Sequence, residues 1–318
     1  TMDGGFVIAG ETKSCEGNFS SNHGFSDGLI AKVDSHGKLL WTKLFGSPGN
    51  DQFNAVFENA DGSLVAAGTV ACHENDKKGV ADFWLLKINA DQTVLWSRHL
   101  GGDANDRLIG AMKSNNGYML CGNTISSKGN AAAGYYRKTN GLIISTNAEG
   151  NVLWKKTIGG SNDDVITACS LTIDQGCLIG AITDSNDGML YSFKQSSNID
   201  CWLLKISAIG VMEWQTVVFD EGQGLVANTV LETIDGGYFL GGTASQRSVM
   251  MKFFQNRLMD WALLGDRKKE TGKAFVEMPD SSFIMAAAGF TSDNYIRNNG
   301  FEDFYMVKMK PVNDNSYK

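Results

Sequence analysis

The sequence predicts an all-β protein, a β-propeller built from four-stranded antiparallel blades, and three observations carry that prediction. The first is a hairpin-sized block that keeps returning. From Asp82 it reads DFWLLKINADQTVLWSRHLGG, and related copies begin at Asp27, Asn140, Asp200 and Arg247. In all five the first residue stands fourteen positions before a tryptophan, at Trp41, Trp96, Trp154, Trp214 and Trp261, and a sixth start at Asp303 reaches Lys308 but no tryptophan. The second is a block that precedes each hairpin: an Asp-Gly turn or a relative of it, followed by a β-rich run, at Asp3, Asp61, Asn115, Asp174, Asp235 and Asp280. Self-similarity at a fixed long spacing marks a repeat architecture. The third is a strand count of 22, close to the 24 of six complete blades.

Each element has its own reason. A strand such as Ala55-Val56-Phe57-Glu58 leads into the Asp-Gly turn, a strong turn-then-strand signal. A second strand follows, then a connection of variable length. The third strand opens on Asp or Asn, residues suited to bonding local backbone at a turn. It carries a short apolar run such as Phe83-Trp84-Leu85-Leu86 and then a lysine. A Gly/Asn/Asp turn and a fourth strand bearing the tryptophan complete a hairpin. The apolar runs are too short for helices. In the second unit the strands are expected near 53–60, 63–69, 83–89 and 93–100.

A ring of such four-stranded units is a propeller, because closure hides the faces that an open stack would expose. The expected blades are 1–47, 48–102, 103–160, 161–220, 221–265 and 266–318, forming one domain over 1–318. Six is the favoured number, with five or seven as alternatives. The first unit lacks its first strand and the last lacks its fourth. These two are consecutive in repeat order and are expected upstream of Thr1, in a larger surface protein.

Taken together, the pattern G-G-x-x-x-D, D-G-x-x-x-x-x-G, D-x-x-x-x-K-x-x-x-x-G-x-x-x-W resembles the bacterial SBBP β-propeller repeat family over nearly the whole chain. It is more distantly similar to quinoprotein-type (PQQ-like) propeller repeats. The resemblance implies an extracytoplasmic bacterial protein, at the cell surface, in the periplasm or secreted, and mostly no assigned activity. The family name implies seven blades where the strand count gives six. Quinoprotein chemistry depends on an adjacent-cysteine ring, which this chain lacks, so no cofactor is expected.

Composition narrows the partners. A net charge of −7 leaves no basic footprint for nucleic acid. No apolar run is long enough to cross a bilayer as a helix. The six cysteines form no C-x-x-C pair, which argues against zinc, and no other metal ligand set has the right spacing. Cys121, Cys169 and Cys177 are expected as buried thiols. Cys15 and Cys72, at similar points of consecutive units, leave a disulfide open.

Recurring residues read mainly as scaffold. Lys32, Lys87, Lys205, Lys252 and Lys308, with Ser145 once instead, are expected at blade-to-blade contacts or on exposed strands, and the tryptophans as anchors between sheets. Glu58, Glu232 and Glu277 hold one equivalent position and would form a partial carboxylate ring if that strand lined a channel. Function is expected in what does not recur: long connections between strands two and three, all leaving from one face. Aromatic and basic residues collect there, namely Phe25, Tyr135, Tyr136, Arg137, Lys138, Tyr191, Phe193, Lys194, Tyr295 and Arg297. Tyr135, Tyr136, Arg137, Tyr191, Phe193, Tyr295 and Arg297 are the candidate ligand-binding set, suited to a glycan, peptide or protein partner by stacking and hydrogen bonding. The alternative for each ring is that it pins its loop to its own blade. A glycan-active hydrolase or lyase with carboxylates drawn from several blades is the second functional reading, and a purely structural module the third.

Overall fold

In the computed structural model, residues 1–309 are described except 20–21, 73–79, 130–137, 192–198, 219–223, 246, 255–256, 265–270 and 290–302. The described chain forms 22 strands in six antiparallel sheets, each a meander. Sheet one holds β1 (Phe6–Thr12), β2 (Asp27–Val33) and β3 (Leu39–Phe45). Sheet two holds β4 (Gln52–Glu58), β5 (Leu64–Cys72), β6 (Val80–Ile88) and β7 (Val94–Leu100). Sheet three holds β8 (Asp106–Ser114), β9 (Gly117–Thr124), β10 (Asn140–Asn147) and β11 (Val152–Ile158). Sheet four holds β12 (Asp164–Leu171), β13 (Cys177–Thr183), β14 (Asp200–Ile206) and β15 (Met212–Val218). Sheet five holds β16 (Val226–Glu232), β17 (Tyr238–Ala244), β18 (Arg247–Phe254) and β19 (Arg257–Leu264). Sheet six holds β20 (Thr271–Glu277), β21 (Phe283–Gly289) and β22 (Asp303–Met309). The first and last sheets have three strands and the other four have four, which is the distribution read from the repeats.

The chain divides into two compact units, Thr1–Val165 and Ile166–Lys318, with the division inside β12. In each unit the cores lie between consecutive blades. In the first, Trp41 of β3 packs in a cluster with Phe53, Leu64 and Trp84 of blade two. Trp96 of β7 joins Leu108, Tyr118 and Leu120 of blade three. In the second, Trp214 of β15 meets Tyr238 of blade five with ring centroids 4.9 Å apart. Phe239 of blade five stacks on Phe283 of blade six at 4.3 Å. Each such ring removes large apolar area from water that its own sheet alone cannot cover. Trp41, Trp96 and Trp214 are thus inter-blade anchors, as expected.

The turns follow the repeat as well. The residue after each opening aspartate is left-handed: Gly4, Gly62 and Gly236 take φ of +82°, +77° and +79°, the values glycine adopts without strain. Gln175 and Ser281 occupy the same place at +66° and +59°. A register shift falls directly after the recurring lysine of the third strand, between Lys32/Val33, Lys87/Ile88, Lys205/Ile206 and Lys252/Phe253, and after Ser145 in blade three. A bulge there bends the strand into the tight turn that follows. Cys121 and Cys177 are buried as expected, but Cys169 is only half-buried. Cys15 is a free, exposed thiol, so it forms no bridge with Cys72.

Candidate functional site

The recurring lysine does not reach the next blade. It pairs with the turn aspartate of its own blade: Lys32 with Asp3 at 2.5 Å, Lys205 with Asp174 at 2.7 Å, Lys308 with Asp280 at 2.9 Å, Lys87 with Asp61 at 3.8 Å, and Lys252 with Asp235. This corrects the expectation of a blade-to-blade contact, while the alternative of an exposed strand residue holds for Lys308, whose side chain is 56% exposed. The reason is local. Each aspartate already caps its turn, accepting the backbone N–H two residues on, as Gly176 N to Asp174 Oδ1 at 3.1 Å and Gly237 N to Asp235 Oδ1 at 3.2 Å. The third strand runs beside that turn and offers an ammonium. The Lys252 and Thr233 hydrogen bonds hold Asp235 down at about 2. Lys205 is the extreme member, its side chain 2% exposed between Asp174 and Glu213. Burial opposes its charge, and the hydrogen bonds to Asp174 and Glu213 outweigh burial, so its pKa is raised. In blade three both partners change together, to Asn115 and Ser145.

The glutamates at the end of the first strand are also committed. Glu58 Oε2 accepts Met2 N at 2.6 Å, Glu232 Oε2 accepts Ile173 N at 2.7 Å, and Glu277 Oε2 accepts Ile234 N at 2.8 Å. Each donor belongs to the turn of the preceding blade. The position latches blades together, and the expectation of a carboxylate ring for a cation gives way to that role.

Sequence reasoning missed a second set of carboxyls, at the opposite end of the strands. Asp27 and Asp51, Asp82 and Asp106, and Asn140 and Asp164 are buried, and each pair flanks one glycine: Gly46, Gly101 and Gly159. Those glycines open the G-G-x-x-x-D crossing from one blade to the next, so the pairs lie where the crossings and the long connections meet. A side chain on Gly101 would stand 1.8 Å from Asp82 Oδ1 and 2.8 Å from Asp106 Oδ2, which is why the crossing needs glycine there. Asp51 Oδ1 accepts Ala71 N at 2.7 Å. Asp106 Oδ2 accepts Gly102 N at 2.7 Å and Ser126 Oγ at 3.0 Å. Burial pushes Asp106 up to about 6 against the hydrogen bonds of Thr124, Gly102 and Ser126, with the Asp82 charge adding to the rise. The sequence signal was present, since both aspartates are part of the repeat, but nothing in the spacing says that they meet. At the first joint His23 Nδ1 lies 2.6 Å from Asp27 Oδ2, and the imidazole is half exposed.

Of the candidate ligand-binding residues, Tyr191 is described and is 78% exposed. It follows a single 3-10 turn, Gly188–Leu190, whose Leu190 is fully buried. Gln215 Nε2 donates to Met189 O at 2.8 Å and Gln215 Oε1 accepts from Trp202 Nε1 at 3.0 Å, fixing that turn to blade four. Leu190 therefore pins the connection, and Tyr191 is left to water. Phe25, in the equivalent connection of blade one, is 74% exposed. Lys138 bonds Asp163 at 3.3 Å and so closes the base of its loop. Tyr135, Tyr136, Arg137, Phe193, Lys194, Tyr295 and Arg297 lie outside the described residues. Among the described residues no group of three or more His, Cys, Asp or Glu side chains is placed to hold a metal ion, and no helix is long and apolar enough to cross a membrane.

The fold is that of a β-propeller, and a solved structure agrees at the level of fold. No family model matches the chain. Streptogramin B lyase superposes with a TM-score of 0.51 at 10% identity, over 98% of this chain and 89% of that one. A glucose dehydrogenase gives a TM-score of 0.44 at 9% identity, over 84% and 90%. In sequence, the regulatory protein FlaEY of Caulobacter vibrioides is 20% identical over 259 residues, covering 74% of this chain. The matched stretch is 27% of that protein's length.

Proposed function

We propose that this propeller is a non-catalytic binding module that recognises a glycan, peptide or protein through the connections between its second and third strands. The observation that carries the reading is the division of labour at Leu190 and Tyr191: the apolar residue anchors the loop, and the aromatic beside it is held out at 78% exposure. A large ring kept in water on a fixed stem is a contact surface at low entropic cost. Phe25 repeats the exposure. The regular parts of the blades are occupied with holding one another, through the Asp–Lys pairs and the Glu latches. Similarity to part of a bacterial regulatory protein supports a role through partners. The resemblance of the repeats to the SBBP family supports an extracytoplasmic setting.

A glycan-array screen of the wild type beside a Tyr135/Tyr136/Tyr191 triple-alanine variant tests the reading. Selective binding that the variant loses is the expected result. If the variant retains every glycan and protein partner of the wild type, the assignment fails.

A second reading, hydrolysis or elimination on a glycan, is favoured by one observation. Asp27 holds His23 through Nδ1, an arrangement that fixes the tautomer of a general base. Turnover of an array-positive glycan that His23→Gln abolishes would move the assignment to an enzyme.

A further inference from the structure

Two exposed side chains of blade one, His23 and Phe25, stand two residues apart on a backbone that the crossing to blade two holds in place. Phe25 N and Ser26 N both donate to Gly49 O, at 3.1 and 3.3 Å, and Asp51 N donates to Ser26 O at 2.8 Å. A Cβ on Gly24 would collide with the backbone of Ser47 and Pro48, so glycine lets the segment lie this close. Asn22 Oδ1 accepts Gly24 N at 2.8 Å, and Asn22 Nδ2 donates to Thr12 O and Ser14 O at 3.4 Å. The stem is tied on both sides, yet it leaves its two rings to water. The His23 side chain is 49% exposed and Phe25 is 74% exposed.

The repeat supplies the comparison. In blade three Thr139 O accepts Asp164 N at 2.7 Å, as Ser26 O accepts Asp51 N, so Lys138 holds the place of Phe25. Lys138 turns to Asp163 and closes its own loop. In blade two the place falls to Val80, which pairs with Cys72 in the sheet. Phe25 instead keeps an apolar ring in solvent, a cost that a ligand covering the ring recovers.

The imidazole beside it is oriented as well as exposed. Asp27 Oδ2 accepts His23 N at 3.0 Å and lies 2.6 Å from His23 Nδ1. An oxygen that accepts one N–H accepts the ring N–H too, so the proton sits on Nδ1. A neutral imidazole then turns the lone pair of Nε2 away from the buried Asp27, as an acceptor. An acceptor two residues from an apolar ring face suits a ligand with a hydroxyl donor beside C–H edges, which is the chemistry of a pyranose. Charge narrows the class. Asp27 and Asp51 lie buried in the joint behind the stem, Glu11 and Glu16 outnumber Lys13 in the connection, and the chain carries −7, so an acidic sugar is repelled.

Resting on the binding reading above, we propose that His23 and Phe25 form a glycan subsite of blade one for a neutral pyranose. Phe25 stacks on the C–H face of the sugar, and His23 Nε2 accepts from one of its hydroxyls. The test is an array of neutral hexose oligosaccharides and uronate oligosaccharides read with the intact chain, followed by titration of the best neutral oligosaccharide. Phe25→Ala and His23→Ala should each weaken that titration by roughly tenfold without lowering Tm. Phe25→Tyr keeps a ring and should retain the affinity, whereas Phe25→Leu keeps apolar bulk alone and should lose as much as Phe25→Ala. Neutral-glycan binding that neither alanine substitution weakens overturns the subsite and leaves the binding reading standing. So does binding confined to uronates, or to a peptide or protein. A folded chain that binds no glycan on the array and captures no protein overturns both. If the bound oligosaccharide is cleaved, and His23→Gln abolishes cleavage at unchanged affinity, His23 is a base and not a binding contact, and the proposal fails.

Discussion

Lys113 Nζ donates to the carbonyl oxygen of Glu58 at 2.8 Å, and so ties blade three to blade two. Lys113 stands where Glu58, Glu232 and Glu277 stand in their own blades. There the side chain accepts a backbone N–H from the preceding blade; here it donates to a backbone C=O. The chemistry is inverted and the task is kept. Position in the blade, more than residue type, determines what a repeated side chain does.

The glutamate latch is measurable at the interface of blades four and five. Glu232→Ala removes the acceptor for Ile173 N and should lower stability by roughly 0.5–1.5 kcal/mol, the net worth of such a bond. Glu232→Gln keeps an acceptor and should lose less. Urea midpoints of the two variants check the order; equal losses would show that the bond contributes nothing.

These two examples show how far the sequence could be read. The blades, their strand count and the turns follow from period and residue type, because an Asp-Gly turn or a two-strand hairpin is local. The pairing of Lys205 with Asp174 spans 31 residues and the Asp82–Asp106 approach joins two blades. Repetition marks such residues as structural without saying which of them touch. Tyr191 was legible as a loop aromatic. Its exposure was not, because the pin turned out to be Leu190, an unremarkable residue in the string.

Breaking the Lys205 cluster from its two sides should give unequal losses. Asp174→Ala leaves a buried ammonium with Glu213 alone, at 3.2 Å. A cost of about 2–3 kcal/mol is expected, below that of a fully buried pair because Asp174 is half exposed. Lys205→Met removes the charge at similar volume and leaves two carboxylates, Asp174 and Glu213, that water reaches, for about 1 kcal/mol. Chemical denaturation of both variants distinguishes this order from its reverse.

Gln175 holds a left-handed backbone at the place where three other blades use glycine. Its side chain donates to Ile173 O at 3.3 Å, while the left-handed backbone is strained for any residue with a Cβ. Gln175→Gly should therefore stabilise the turn by about 0.5–1 kcal/mol, the left-handed penalty less the entropy glycine adds to the unfolded chain. A lower Tm would mean that the side chain matters more than the backbone it strains.

Two groups of carboxyls set opposite pH limits. Asp235, held near 2 by Lys252 and Thr233, gives stability that is present above its unfolded value of 3.8 and is lost as pH falls through 2. Asp3 and Asp280 are lowered too, by their lysine and turn hydrogen bonds, and Asp61 by the Ser63 hydrogen bonds with the Lys87 charge adding, and all act in the same direction. Asp106 acts the other way, losing its contribution as pH rises through about 6. On these groups thermal stability should therefore peak near pH 4 and decline from there to about pH 6. A maximum at pH 7 or above in a calorimetric series would contradict the two assignments together.

Leu190 and Tyr191 are neighbours with opposite fates, and that contrast separates folding from recognition. Leu190→Ala empties a fully buried site and should cost about 2–4 kcal/mol, unlocking the connection from blade four. Tyr191→Ala removes a ring that water already surrounds and should leave stability within about 0.5 kcal/mol of wild type. If the ring is a contact residue, the same substitution should weaken binding of an array-identified ligand by roughly tenfold or more, as the loss of an interface aromatic does. Leu190→Ala should also weaken binding, but only together with its loss of stability. Both quantities can be read on one preparation, by calorimetric unfolding and by titration. Unchanged affinity in Tyr191→Ala would remove this loop from the recognition surface, however exposed its ring is.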